Sequence, residues 1–455
     1  MARILFGKTL LSLSIATLIS ACSQQNSSPA QTDTAAQNNI ATLDLSNPSD
    51  HARTDTVLLP YTDLGIAPAQ ATALVAQAGG NVIASQLIDH NGDGEKDTLL
   101  LQTELAAAAS QSITISNNPA LFAAQQLPKR TQAEISRKTG GRWQDEKYIG
   151  GTFENVTEVT PPPHYTDHSE WIRYEGPGIE SDKVGYRIYL DWRNGFDVFG
   201  NKTGAPVLHK VGLDGYESYH HMADWGMDLL KVGKSLGAGG YGYWDGQQVQ
   251  LVSKVSGHSA KVIENGPLYS ALQIQYKDWQ IAGKTLQLTA DLSMTAGSRL
   301  VHTRLTTSEI LDNFAVGLVK LPKTKLLQGK LDIPGHSWTY LATWGEQTLT
   351  GGNDKLGMAV LFKRGDNKAI TSDASSHVAV LEPSGTELEY YFLSAWDGEP
   401  GGIKTEAEFV AYLQQEVEKL TLAPRKQLKT ALSQQQKAGP LTAQKALDWS
   451  ERLAA

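Results

Sequence analysis

Two segments of the sequence carry the residue types that can remove and donate protons. Residues 184–203 read VGYRIYLDWRNGFDVFGNKT, and residues 212–244 read GLDGYESYHHMADWGMDLLKVGKSLGAGGYGYW. An arginine can hold a substrate carboxylate and thereby ease loss of the proton on the adjacent carbon. A histidine or tyrosine can take that proton, and a second one can protonate the oxygen that leaves. These residue types predict β-elimination on a uronic-acid-containing oligosaccharide.

The predicted catalytic residues divide into three roles. Two guanidiniums hold the carboxylate, one imidazole takes the proton, and one tyrosine protonates the leaving oxygen. Because adjacent residues of a strand point to opposite faces, at most one of the two neighbouring histidines is the base. The predicted catalytic residues are Arg187, Arg193, Tyr219, His220, His221 and Tyr241.

Aromatic residues crowd the same region. Sugar rings have apolar faces and a hydroxyl rim, so aromatic platforms edged by polar groups suit them. For any single ring, burial in the core of a sheet is the alternative interpretation. The predicted substrate-binding residues are Trp192, Asp224, Trp225, Lys231, Tyr243 and Trp244.

Other functions are compatible with the same residues. Asp191 and Asp224 could act as the paired carboxylates of a glycoside hydrolase on a neutral glycan. A non-catalytic glycan-binding lipoprotein and a mutarotase-like epimerase are further alternatives. His220, Asp224 and Asp228 have the four-residue spacing that would align three metal ligands on a helix, but the surrounding pattern is strand-like and contains no HExxH motif.

Short apolar alternations separated by turn residues predict a mainly β protein that positions these groups. Residues 41–117 predict a small immunoglobulin-like β-sandwich, residues 118–145 a polar connector, and residues 146–404 a large antiparallel β-sandwich that holds the sugar site. Apolar residues at three- and four-residue spacing after Thr405 predict C-terminal helices over 405–455.

The segment DHNGDGEKD, residues 89–97, has oxygen-bearing side chains around two glycines. The spacing is similar to the first half of a calcium loop, but Leu100 stands where the final acidic ligand is expected. A hairpin turn explains the same residues and is the favoured interpretation. No cofactor is required for the predicted chemistry, and calcium stays an alternative for which the weak candidate ligands are Asp89, Asn91, Asp93 and Asp97.

The N-terminus predicts export. Residues 1–21 combine a basic head, an apolar stretch and a small-residue end, and they precede Cys22, which is the single cysteine of the chain. This pattern resembles a bacterial lipoprotein signal, with Cys22 lipidated and residues 22–40 forming a flexible tether. Ser23 favours an outer-membrane anchor facing the periplasm or the cell surface; a plainly secreted protein is the alternative.

The net charge of −8 argues against nucleic acid as a partner. If the partner is an acidic oligosaccharide, local cations must attract it, because the overall charge of the protein would repel it.

The two quoted strings, 184–203 and 212–244, resemble the bacterial exported family called domain of unknown function 4861. The resemblance extends from NPSDHARTD near Asn47, through the NGDG turn, to the C-terminal helices. It implies an exported protein associated with polysaccharide degradation, and elimination chemistry at the uronate of an oligosaccharide. No set of catalytic residues comes with the resemblance, so the residues named above depend on their chemistry alone.

Overall fold

The computed structural model describes residues 39–330 and 335–430. The predicted signal at 1–21, the lipidation site Cys22 and nearly all of the predicted tether lie outside these residues. Asn39 and Ile40, the last two residues of the predicted tether, belong to the first strand. Within the described ranges, no helix combines the length and apolarity needed to cross a bilayer.

The N-terminal part forms a small antiparallel β-sandwich. Its strands and two short helices are β1 Asn39–Ser46, β2 Arg53–Pro60, α1 Tyr61–Leu64, β3 Leu74–Ala78, β4 Asn81–Ile83, β5 Ser85–Ile88, β6 Thr98–Leu105, β7 Ser110–Asn117 and α2 Pro119–Ala124. Strands β2, β6 and β5 form one sheet, and β1, β7, β3 and β4 form most of the other. Apolar side chains from both sheets make the core between them, among them Leu43, Val57, Leu99 and Ile113.

The remaining chain builds a larger β-structure, and its last strand returns to the small sandwich. Its elements are β8 Thr131–Thr139, β9 Arg142–Gln144, β10 Lys147–Ile149, β11 Thr152–Val156, β12 Glu158–Val159, β13 Gly178–Ser181, β14 Val184–Ile188, β15 Phe196–Asn201, β16 Gly226–Asp228, β17 Ala238–Trp244, β18 Val249–Leu251, β19 Gly257–Asn265, β20 Tyr269–Ile281, β21 Lys284–Thr295, β22 Val301–Thr307, β23 Phe314–Val319, β24 Thr324–Gln328, β25 Trp338–Gly345, β26 Leu356–Lys363, β27 Asn367–Ser372, β28 Ser376–Leu381, β29 Glu387–Trp396, α3 Glu406–Thr421 and β30 Arg425–Thr430.

Three sheets form this large sandwich, as predicted. A nine-stranded sheet has the order β12-β19-β20-β21-β22-β29-β26-β25-β24. A six-stranded sheet, β11-β8-β13-β14-β15-β16, and a five-stranded sheet, β18-β17-β23-β28-β27, pack on it. The last two meet at a bridge between Phe196 and Gly237. One continuous core fills the space between these layers.

The period-2 pattern of the strands explains why the sheets pack this way. In β21, Leu286, Leu288, Ala290, Leu292 and Met294 are buried and alternate with more accessible residues. Alternate residues of a strand share one face, so this strand offers one apolar face to the core. Strand β26 is apolar on both faces because α3 covers the side that does not face the core.

The polar segment 118–145 is more than the connector that we predict from its composition. It contains α2 and β8, and β8 lies between β11 and β13 in the six-stranded sheet. Ala133 and Ile135 of β8 face the core, whereas Gln132 and Glu134 are buried among other polar groups. A strand with a buried polar face lacks the apolar alternation that marks strands elsewhere.

The prediction of helices over 405–455 is only partly correct. Helix α3 begins at a capping box of Thr405 and Glu408 and buries Phe409, Leu413 and Val417. After Pro424, β30 pairs antiparallel with β1 and completes the first sheet of the small sandwich. Proline has no backbone N–H to continue a helix, and the following residues extend instead. Residues 431–455 lie outside the described part.

The segment 89–97 is the hairpin turn that connects β5 to β6. The carboxylate of Asp89 accepts hydrogen bonds from the backbone N–H groups of Gly92 and Gly94, at 2.7 and 2.8 Å. The carboxylate of Asp97 accepts from those of His90 and Asn91. Backbone amides thus use oxygens of Asp89 and Asp97 that a calcium ion would need.

Candidate functional site

Strands β14, β15 and β16 bring a set of charged residues together inside the six-stranded sheet. Arg187 on β14 is directly opposite Asp197 on β15, and Asp228 on β16 is opposite Phe199, two residues further along β15. Opposed residues of neighbouring strands share one face of the sheet, so these side chains meet. The flanking apolar residues are buried in the same strands, and Arg187 is only 2 % exposed.

Arg187 is held by polar groups on all of its nitrogens. Nη2 donates to Asp197 Oδ2 and to Asp228 Oδ2, each at 2.7 Å, and to the Tyr189 hydroxyl at 2.8 Å. Nε donates to Asp197 at 3.1 Å, and Nη1 donates to the Tyr219 hydroxyl at 3.2 Å. A buried guanidinium needs such partners because it is costly to remove from water. The predicted contact between Arg187 and a substrate carboxylate would require these bonds to break.

Arg193 lies next to this group and is also paired. It binds both carboxylate oxygens of Asp191 and donates from Nη2 to Glu175 Oε1 at 3.0 Å. Its guanidinium lies 3.8 Å from the ring centre of Tyr189. Nη1 of Arg193 donates no hydrogen bond to another described residue, and this atom is not fully buried. Arg193 therefore retains a donor that could contact a ligand.

The buried cluster carries more negative than positive groups. Four carboxylates, those of Glu175, Asp191, Asp197 and Asp228, surround the two guanidiniums. Burial, and then the charge of Asp228, raises the pKa of Asp197 to about 7. Burial also raises the pKa of Asp191. A further anion would be repelled from the interior of this cluster.

His220 connects the buried cluster to the surface. It ends a 3₁₀ turn at Ser218–His220, and its Nε2 lies 3.4 Å from Asp228 Oδ2. The rings of Tyr216 and Tyr219 are each 4.6 Å from its ring, and the side chain is 23 % exposed. A carboxylate beside an imidazole orients the ring and can accept the hydrogen bond of its N–H. His220 thus has the surroundings of a general base, whereas the neighbouring His221 lies exposed.

Trp192 belongs to the rim of the same region and is 40 % exposed. Asp167 lies near this indole, and it also lies beside His168 and Arg193. The ring of His168 is 4.7 Å from that of Tyr216. A row of rings therefore runs from His168 through Tyr216 to His220.

Other predicted site residues lie elsewhere. Tyr241 is buried in the core, where its hydroxyl is 3.1 Å from that of Tyr276 and its ring packs on Phe196. Tyr243 and Trp244 follow it on β17 in the five-stranded sheet. Lys231 is exposed.

Trp225 and Asp224 flank the cluster without entering it. Trp225 is half-buried against Phe199, behind the ring of Tyr219. Asp224 is exposed, whereas Asp191, the other carboxylate of the hydrolase alternative, is buried. No helix aligns His220, Asp224 and Asp228 as metal ligands, because His220 ends a 3₁₀ turn and Asp228 belongs to strand β16. No group of three metal-binding side chains occurs among the described residues.

Glu175, Tyr216 and Asp197 belong to the cluster but are not among the predicted site residues. A signal for Asp197 was present, because it is a lone carboxylate in the apolar run FDVF of a strand, as Arg187 is in YRIY. Buried strands tolerate a charge only with an opposite charge nearby. No comparable pattern marks Glu175, which reaches the cluster from a loop.

The chain is a mainly β protein of two antiparallel sandwiches. Its large sandwich contains a buried cluster of carboxylates and guanidiniums, and the partly exposed His220 lies at the edge of this cluster. The family described as Domain of unknown function (DUF4861) matches residues 45–425, and the chain belongs to this family. The resemblance noted in the sequence is thereby confirmed. An uncharacterized protein of Formosa agariphila is 23 % identical over 363 residues, which are 74 % of this chain and 80 % of that protein.

The comparison with solved structures matches this chain to two structures from Enterococcus faecalis. They are a protein in the glycosyl hydrolase family 38 (10 % identity, TM-score 0.40) and an alpha-mannosidase (9 % identity, TM-score 0.41). Each similarity covers 86 % of this chain but only 47 % and 46 % of those chains, so this chain spans about half of their length.

Proposed function

We propose that this protein is a carbohydrate-active lyase or dehydratase that performs β-elimination on uronic-acid-containing oligosaccharides. The observation that carries this proposal is the pair of His220 and buried Asp228, 3.4 Å apart, at a surface bordered by aromatic rings. Such a pair supplies an imidazole that is held in place to take a proton. The exposed face of Trp192 supports a sugar as the ligand.

In this reaction His220 takes the proton from the carbon next to the substrate carboxylate. The electron pair of that C–H bond forms a C4–C5 double bond, and the bond to the oxygen on C4 breaks. Tyr219 gives its proton to the departing oxygen, which leaves as water or as a sugar hydroxyl. Because the Tyr219 oxygen accepts a hydrogen bond from Arg187, its own proton is available, and the guanidinium stabilises the phenolate that results.

The substrate carboxylate is assigned to Arg193. Arg187 donates its hydrogen bonds to groups inside the cluster, whereas Nη1 of Arg193 donates to no other described residue. A guanidinium contact lowers the barrier for loss of the neighbouring proton by neutralising the acid group. Tyr241, within the core, has no part in this scheme.

The decisive measurement is the ultraviolet absorbance of the new double bond when the protein is incubated with uronate oligosaccharides. His220→Ala is expected to lower the rate at least 100-fold, in keeping with loss of a general base. His221→Ala is the matched control and should retain most of the rate. Absence of the absorbance change with every uronate tested would reject elimination, as would equal rates for the two variants.

We also propose that the protein is an outer-membrane lipoprotein anchored through Cys22, which would place the site in the periplasm or at the cell surface. Support comes from the single cysteine directly after a small-residue end of an apolar segment. Cys22→Ser in the full chain should abolish incorporation of labelled fatty acid and move the protein from the membrane fraction to the soluble one. Unchanged labelling would contradict the anchor.

A further inference from the structure

A narrow cleft is lined in part by Tyr216 and Tyr219, the two residues whose rings also pack against His220. Its walls come from β8, from the loop before β13 and from the loop after β15. About 20 Å³ of its space is open to a water-sized group, which is room for roughly one water or hydroxyl. Its lining includes the polar side chains of Lys138, Glu170, Glu175, Tyr216 and Tyr219.

Glu175 is brought to this cleft by an unusual backbone. Tyr174 and Glu175 both have positive φ, at 41° and 68°, a region that side chains other than glycine rarely adopt. The next residue, Gly176, is extended and lies so close to Ile188 that a Cβ would collide with the Ile188 carbonyl oxygen. Strain of this kind persists where the surrounding structure requires it, and it often marks binding sites.

The two carboxylate oxygens of Glu175 differ in their partners. Oε1 accepts hydrogen bonds from the backbone N–H of His168 at 2.7 Å and from Arg193 at 3.0 Å. Oε2 is buried and accepts no hydrogen bond from a described residue; its nearest cation is Arg187 Nη1, 3.7 Å away. The side chain as a whole is 3 % exposed. A buried carboxylate oxygen without a donor is costly, so this atom favours a ligand that brings one.

The charge around the cleft determines what that ligand group can be. Asp197 and Asp228 lie behind Glu175 on the far side of Arg187, and Asp191 lies behind it on Arg193. A carboxylate or sulfate in the cleft would lie beside Oε2 of Glu175 with this further negative charge behind it, and Lys138, a cation that lines the cleft, is already paired with Glu170. A neutral hydroxyl both fits the space and offers the hydrogen that Oε2 lacks.

We infer that Glu175 Oε2 accepts a hydrogen bond from one neutral hydroxyl of the bound sugar, which makes this cleft a subsite that selects a hydroxyl and excludes an acidic group. This inference deepens the proposed function and rests on it for the identity of the sugar. It orients the substrate, since the hydroxyl enters the cleft at Glu175 while the acid group stays outside at Arg193.

The test measures binding rather than turnover. In the full-length His220→Ala protein, calorimetry would compare a disaccharide of glucuronic acid and glucose with its complete set of monodeoxy derivatives. The expected result is that one derivative binds about 10-fold more weakly than the parent, and that adding Glu175→Gln weakens the parent about 10-fold but leaves that derivative unchanged. Such non-additivity identifies a direct contact.

Glu170→Gln is the matched control. Its carboxylate lines the same cleft but is 45 % exposed and pairs with Lys138 at 3.5 Å, so it should leave the derivative profile unaltered. If Glu175→Gln fails to fold, as judged by its thermal midpoint, Glu175→Asp takes its place. This substitution keeps the charge but shortens the side chain, so the carboxylate no longer reaches the hydroxyl, and the parent disaccharide should again lose affinity while the same derivative does not.

The inference is overturned if adding Glu175→Gln weakens the binding of the parent disaccharide and of every derivative by the same factor. It is also overturned if adding Glu175→Gln leaves all affinities of the His220→Ala protein unchanged, or if the His220→Ala protein binds none of the disaccharides. Failure of the proposed function is a separate result. Selective binding without any ultraviolet-absorbing product from the unaltered protein would retain the hydroxyl subsite and reject elimination.

Discussion

Arg187 is the residue on which the buried cluster depends, because it is the partner of Asp197, of Asp228 and, at 3.7 Å, of Glu175. None of these carboxylates can reach water by a small movement, since each is buried. The guanidinium therefore does two things. It compensates charge inside the sheet, and it donates a hydrogen bond to the hydroxyl of Tyr219, whose ring packs against that of His220.

Arg187→Met should destabilise the protein by about 3–5 kcal/mol, because buried carboxylates would lose their partner. The free energy of unfolding in urea measures this change. The control is Arg304→Met, which breaks an exposed pair with Asp291 and should cost no more than about 1 kcal/mol. Similar losses for the two variants would show that the buried pairing is not what stabilises this sheet.

The pKa of Asp197 predicts a specific pH dependence. A carboxyl whose pKa is raised in the fold, here from 3.8 to about 7, holds its proton at pH values where the unfolded chain has lost it. Its contribution to stability is complete below pH about 4 and is lost as the pH rises to about 7, by an amount on the order of a few kcal/mol. Unfolding free energies of the unaltered protein and of Asp197→Asn should therefore diverge over this window, with the unaltered protein falling relative to the variant. A constant difference would contradict the raised pKa.

At the scale of elements, the sheet and helix α3 depend on close approach at one position. Gly357 on β26 faces the helix, and a Cβ there would lie 2.6 Å from the ring of Phe409, which is itself stacked on Trp344. The apolar face of α3 packs on the sheet through this ring and Leu413. Space at Gly357 thus determines how closely α3 lies on the sheet.

Gly357→Ala should cost about 1–3 kcal/mol, because the added methyl group overpacks the contact with Phe409. Thermal denaturation followed by circular dichroism measures the loss. Gly365→Ala is the matched control, since a Cβ at Gly365 meets nothing within 4 Å. If the two substitutions shift the midpoint equally, the helix is not held by this contact.

At the scale of the whole molecule, the two sandwiches share a core. Ile88 and Leu100 of the small sandwich pack with Leu268, Tyr269 and other residues of the large one. Polar contacts surround this shared cluster: Glu264 accepts from Lys96 at 2.6 Å and from the backbone N–H of Asp89 at 3.1 Å. In addition, β30 returns from the large sandwich to pair with β1. The two parts are therefore expected to unfold together.

Leu100→Ala tests this coupling. The side chain is fully buried between the sandwiches, so its truncation should cost about 2–5 kcal/mol and shift a single calorimetric transition. Leu326→Ala, at a partly exposed position on β24, should change the transition little. Two separate transitions, of which only one responds to Leu100→Ala, would show that the sandwiches fold independently.

The sequence by itself determined the strands and the family. Alternating apolar residues predict β21 and its neighbours because a strand with one buried face must repeat every two residues. The residue types of 184–203 and 212–244 also indicate Trp192, Tyr219 and His220 as site residues, and their roles stay a prediction. The local pattern also predicted the hairpin turn at 89–97, since the glycines and Asx side chains of a turn act within a few residues.

Only the tertiary structure decided which charges meet and which rings face the cleft. Tyr219 and Tyr241 both stand among glycines and aromatics in the sequence, yet one contacts Arg187 and the other contacts Tyr276 in the core. Glu175 reaches the cluster from a loop, and Asp197 reaches it from a neighbouring strand. Strand register and sheet order set these contacts between residues far apart in the chain, and a buried charge is stable only beside the partner that this packing supplies.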